Sequence, residues 1–108
     1  MVGAKTIPTL DGLRSERQEI LRIAAAHGAS NVRVIGSVAR GDAIPESDFD
    51  LLVDFDKENI GGFAYFGRIE DLRRSLEELL GRSVDVVDSG GLDTPRIRDR
   101  ILGEAVPL

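Results

Sequence analysis

The 108-residue sequence predicts an α+β fold, a small mixed β-sheet flanked by helices. Three observations carry that expectation. Segments of helical and strand periodicity alternate along the chain, and the strand-like runs are short and bounded by turn residues. The apolar stripe of each helix also needs a sheet face to cover it, and no second sheet is available.

Leu13, Ile20, Leu21 and Ala24 predict a first helix over about residues 13–26, closed by His27 and Gly28. Residues 31–35 then read as a strand, with Val32 and Val34 on one face and Arg33 and Ile35 on the other. The turn Gly36-Ser37-Val38-Ala39-Arg40-Gly41 follows, and residues 42–47 form a loop around Pro45 before a second strand over about 48–55. A polar, glycine-bearing connector occupies 56–62. Beyond it Phe66, Ile69, Leu72, Leu76 and Leu79 recur at spacings of three and four, which predicts a long amphipathic helix over 63–80 with Gly81 as its stop. Residues 83–87 read as a third strand, and Ser89-Gly90-Gly91 breaks the chain. Thr94-Pro95 opens a short helix through Ile97, Ile101 and Leu102. Val106 offers an edge strand that Pro107 limits. Without repeats, low-complexity tracts or long linkers, residues 1–108 are expected to form a single domain.

Composition excludes several classes of function. A formal net charge of -5 and a pI near 4.8 repel a phosphate backbone unless arginines cluster. They do not: Arg96, Arg98 and Arg100 diverge around their helix, and Arg73, Arg74 and Arg82 lie elsewhere, so direct nucleic-acid binding is not expected. No apolar run reaches the roughly 18 residues of a membrane span. The start, Met1-Val2-Gly3-Ala4-Lys5, lacks the long apolar core of a secretory signal. The absence of cysteine excludes disulfides and makes a cytoplasmic location the default expectation.

The chemistry concentrates in carboxylates. On an extended strand Asp48 and Asp50 point the same way while Phe49 and Leu51 point to the opposite face. Two like charges held together call for a cation, and Mg2+ takes one or two carboxylates plus substrate phosphates. Asp85 is a third charge, on a strand that otherwise reads as buried, and needs a cation, a hydrogen-bond network or an exposed strand end. If the two strands are neighbours, one site holds all three. Asp88, in contrast, reads as a turn or solvated residue.

The turn lacks the lysine of the Walker-type loop and the three glycines of the dinucleotide fingerprint. Instead, Gly36 lets a phosphate approach the backbone, and the Ser37 hydroxyl and neighbouring N–H groups can donate to it. Arg40 is either a phosphate ligand or a partner of Asp42 or Asp48 that shapes the loop. His27 reads as a helix-end residue and Ser47 as a backbone cap or an orienting partner for the Asp48 loop. Phe63, Tyr65 and Phe66 read as core residues, with an interface role as the alternative.

Together, Gly36-Ser37-Val38-Ala39-Arg40-Gly41, Ser47-Asp48-Phe49-Asp50-Leu51-Leu52-Val53 and the later Asp85 resemble the minimal nucleotidyltransferases of the DNA polymerase beta-like superfamily. Those small proteins are typically antitoxin partners of helical HEPN toxins. The resemblance covers almost the whole chain. It implies a nucleotidyltransferase fold, with Gly36 and Ser37 at the triphosphate and Asp48, Asp50 and Asp85 as catalytic ligands of two Mg2+ ions. It also implies transfer of a nucleoside monophosphate, usually AMP from ATP, to an acceptor hydroxyl, which in the family can be a tyrosine of the toxin. A HEPN-type toxin is then the expected partner, in a hetero-oligomer or beside a homo-oligomer. The alternative is a non-catalytic antitoxin or nucleotide-binding subunit that acts by complex formation alone.

Overall fold

A computed structural model gives the structure of residues 6–56, 62–92 and 94–108. Residues 57–61 of the expected connector and the side chain of Phe63 lie outside the described part. Four strands, β1 (Ala29–Ile35), β2 (Phe49–Phe55), β3 (Val84–Asp88) and β4 (Val106–Pro107), form one sheet in the order β3-β2-β1-β4. β1 runs antiparallel to β2 and to β4, and β2 runs parallel to β3, so the sheet is mixed as expected.

Period-two alternation decides which face each strand buries. Phe49, Leu51, Val53 and Phe55 of β2 join Val32, Val34 and Val84 in the main core. Over this face lie α1 (Leu10–Arg14), α2 (Arg17–Ala26) and α4 (Gly62–Leu80), contributing Leu13, Ile20, Ala24, Leu72 and Leu76. Each such fully buried leucine is worth about 2–5 kcal/mol on truncation to alanine. Asp50, Leu52 and Asp54 point to the opposite face, beside α3 (Gly36–Arg40) and α5 (Pro95–Glu104).

The expected first helix is two. Thr9 caps α1 by accepting the Gly12 N–H at 2.9 Å, and Ser15 then ends it, donating its hydroxyl to the Gly12 carbonyl at 2.6 Å. A serine hydroxyl that takes a backbone carbonyl competes with helix propagation, and α2 restarts at Arg17. β1 begins two residues earlier than expected, before an irregularity in its pairing between Ser30 and Arg33, where Asn31 adopts φ 51°. Asparagine tolerates that left-handed geometry, and its side chain donates to Asp54 at 3.0 Å.

Two further expectations are corrected. α5 buries none of its residues fully: Ile97 and Leu102 are 51% and 44% exposed and Ile101 is half-buried, so most of the expected apolar stripe stays uncovered. Phe66 is 69% exposed rather than in the core, whereas its neighbour Tyr65 does pack against the core and sets its ring edge-on to Phe55.

Candidate active site

The chain turns at the end of β1 through Gly36, whose φ of 75° suits a residue without a side chain. α3 follows and closes at Gly41 in the left-handed region, its N–H donating to the Ser37 carbonyl at 2.9 Å. The loop that returns to β2 is fastened by Arg82. Its guanidinium donates to the carbonyls of Pro45 at 2.7 Å, Ser47 at 2.9 Å and Thr6 at 2.6 Å. Ser47 caps locally, its hydroxyl accepting the Ile44 N–H at 2.9 Å. This bracing delivers Asp48 one residue ahead of β2 and Asp50 within it.

Strand register then assembles the site. Ile35 pairs with Asp50 across β1 and β2, and Asp50 pairs with Asp85 across β2 and β3. Directly paired residues share a sheet face, so the Gly36 turn, Asp50 and Asp85 stand abreast at one end of the sheet, on the face away from the main core. Asp48 and Asp85 are exposed and Asp50 is half-buried. Of the three ways to accommodate Asp85, the chain uses solvent exposure together with a side-chain hydrogen bond to Asp50.

The crowding has an electrostatic signature. Burial, then the charge of Asp85, then that of Asp48 push the Asp50 carboxyl from an ordinary 3.8 up to about 6, with Arg40 pulling weakly the other way. Like charges at this separation are relieved by a cation. Among the described residues no three His, Cys, Asp or Glu side chains form a ready metal cage. Hard carboxylate oxygens presented in ones and twos nevertheless suit Mg2+, which completes its shell with water and phosphate. The donor set thus fits a substrate-assisted Mg2+ site.

Gly36 and Asp50 are coupled directly. A Cβ at Gly36 would overlap the Asp50 carboxylate and lie 3.2 Å from its Cγ. Arg40 pairs with Asp42 at 3.3 Å, one of the expected alternatives, and with Glu104 at 3.3 Å rather than with Asp48. Glu104 also accepts the Gly36 N–H at 3.1 Å. It is a site residue that sequence reasoning missed, because 68 residues separate it from Gly36 and no local pattern announces the contact. His27 stands at the C-cap of α2, its Nδ1 2.8 Å from the Ile23 carbonyl, in keeping with a helix-end role.

Asp88 is a turn residue, one of the two expected alternatives, but it is buried rather than solvated. It is 8% exposed, it accepts from the Tyr65 hydroxyl, and it takes the Gly90 N–H at 3.0 Å to cap the 3-10 turn Ser89–Gly91. Strand parity places it with Val84 and Val86 on the core side, and the tyrosine makes that burial affordable.

The nucleotidyltransferase domain family matches residues 17–108. The chain belongs to this family. "Putative protein adenylyltransferase MJ0435" of Methanocaldococcus jannaschii is 36% identical over 92 residues, covering 85% of this chain and 92% of that protein. "Protein adenylyltransferase MntA" of Thermococcus cleftensis is 37% identical over 97 residues, covering 82% and 92%. A solved structure described as "Structure of putative minimal nucleotidyltransferase" superposes with a TM-score of 0.77 at 44% identity over 94% of this chain and 97% of that one. A second, "Crystal structure of the toxin-antitoxin with AMP-PNP", shares the fold with a TM-score of 0.64 at 18% identity, covering 86% and 69%. The nucleotidyltransferase therefore has both the family and the mixed-sheet fold that its sequence implied, and it is an enzyme of that class.

Proposed function

We propose that this nucleotidyltransferase moves AMP from ATP to a hydroxyl on a partner protein, a tyrosine of a HEPN-type toxin, and neutralises the toxin by doing so. The observation that carries the reading is the register pair Asp50 and Asp85, with the Asp50 carboxyl pushed up to about 6 by burial and then by the charges of Asp85 and Asp48, and the Gly36 turn alongside. Support for a protein acceptor comes from the names of the relatives, and support for a toxin from the name of the 18% identical neighbour; each name describes that other protein.

Asp48, Asp50 and Asp85 would hold Mg2+, which when bound neutralises phosphate charge and polarises the acceptor oxygen. The chain's own groups do the rest. Gly36 makes room for the Asp50 carboxylate and offers its backbone N–H to phosphate, Ser37 offers its hydroxyl, and Arg40 supplies a positive charge beside them. The acceptor oxygen forms a bond to the α-phosphorus, the bond to pyrophosphate breaks, and the hydroxyl proton passes toward Asp85.

The test is pyrophosphate release from ATP in the presence of Mg2+ and the product of the adjacent gene. Release that requires both, and is lost in Asp50→Asn, supports the proposal; release indifferent to Asp50 refutes it. One observation favours a second reading in which the chain acts by binding its partner alone: the exposed ring of Phe66 on α4 is an interface-type anchor.

A further inference from the structure

Glu104 is the last residue of α5, and its carboxylate spans two donors of the turn after β1. Oε1 accepts the Gly36 N–H at 3.1 Å, and Oε2 lies 3.3 Å from Arg40 Nη1. A backbone amide and a guanidinium side by side form a recognition pair for an anion. In this chain the anion is supplied from within. The triphosphate assigned to this turn under the proposed function needs the same two donors, and a retained Glu104 would face it with a like charge.

We infer that Glu104 is an internal competitor for phosphate, seated on Gly36 and Arg40 until a Mg2+-nucleotide displaces it. The inference rests on the nucleotide reading of the turn. Three features make displacement cheap. The Glu104–Arg40 pair is partly solvated, a class of ion pair that contributes little to stability. α5 buries none of its residues, and with β4 held against β1 from Val106 onward the movement is confined to the Glu104 side chain and the turn that carries it. Gly103 precedes Glu104 and adds no side chain to the cost of movement. A triphosphate brings more charge and more acceptor oxygens than one carboxylate, so it takes both donors once it arrives. Displacement also removes the contact that ties the last turn of α5 to the Gly36 turn, while β4 stays paired to β1.

The experiment compares Mg2+-ATP binding by calorimetry in wild type, Glu104→Gln and Glu78→Gln, the last removing the same charge from the exposed side of α4. Glu104→Gln should bind about two- to fivefold tighter than wild type, the worth of a partly exposed ion pair, while Glu78→Gln should match wild type. Amide hydrogen exchange on wild type supplies a second readout: Mg2+-ATP should speed exchange in the last turn of α5. Should Glu104→Gln fail to fold, that exchange measurement decides the matter alone. Binding by wild type with equal or weaker binding by Glu104→Gln, or α5 exchange unchanged or slowed by nucleotide, overturns the role of Glu104 and leaves the nucleotide site standing. Failure of wild type and Glu104→Gln alike to bind Mg2+-ATP overturns the nucleotide reading and this inference with it.

Discussion

A side chain at Gly36 and the carboxylate of Asp50 would occupy the same space. The glycine at the end of β1 is therefore a condition for the position of Asp50 on β2, in addition to any room it leaves for phosphate. Turn and carboxylate form one unit.

Gly36→Ala should cost about 1–2 kcal/mol from the positive φ alone, before the displacement of Asp50 is counted. It should also weaken Mg2+-ATP binding more than Ser37→Ala, which leaves the backbone donors and Asp50 in place. Urea denaturation and calorimetry measure the two effects. Equal nucleotide affinity in both folded variants would contradict the coupling.

The raised carboxyl of Asp50 makes stability depend on pH. Its folded value of about 6 lies above the ordinary 3.8, so folding favours the protonated form. The resulting contribution is full below about pH 3.8 and is lost as pH rises through about 6. In the absence of divalent ions the thermal midpoint of wild type should fall relative to that of Asp50→Asn across this window, modestly, since the group is only half-buried. Adding Mg2+ at neutral pH should raise the midpoint of wild type and leave that of Asp50→Asn unchanged. Parallel pH profiles with and without the carboxylate would count against like-charge crowding.

Asp85 should matter more to transfer than to binding. If its role is at the acceptor side, Asp85→Asn keeps ATP affinity and partner affinity but loses transfer by at least about 100-fold. Single-turnover measurements with separate binding assays distinguish the steps. Wild-type transfer would remove Asp85 from the site, and loss of partner binding alone would make β3 an interface.

Tyr65→Phe should destabilise the fold by about 1–2 kcal/mol by removing a donor to the buried Asp88. The same contact, with burial as the larger cause, pushes the tyrosine hydroxyl up to about 12. Ultraviolet titration should show Tyr65 ionising late in the native protein. An unchanged urea midpoint in the variant would show that the bond adds nothing.

Much of this arrangement was legible because it follows from local periodicity. The strands around Val34, Leu51 and Val84, the long helix through Leu72 and Leu76 and the turn at Gly36 all announce themselves in spacing. Register placed Asp50 beside Asp85 once β2 and β3 became neighbours, which the sequence raised only as a condition. Long-range contacts were not legible. Nothing near Asp88 names Tyr65 as its partner, and nothing near Glu104 names Gly36. The break at Ser15 escaped notice because apolar spacing continues across it, while the interruption is a hydroxyl bond to a backbone carbonyl. Phe66 and Ile97 misled for the opposite reason: helical spacing predicts a buried stripe whether or not the chain itself supplies the surface to cover it.

The most direct test of the central claim is intact-mass analysis and peptide mapping after incubation with Mg2+, ATP labelled at the α-phosphate and the product of the adjacent gene. The account predicts one or more adenylyl groups on a hydroxyl of that partner, stoichiometric pyrophosphate, and loss of both with Asp50→Asn under conditions where the variant remains folded. An unlabelled partner with wild-type enzyme, or labelling as strong with Asp50→Asn, would contradict it.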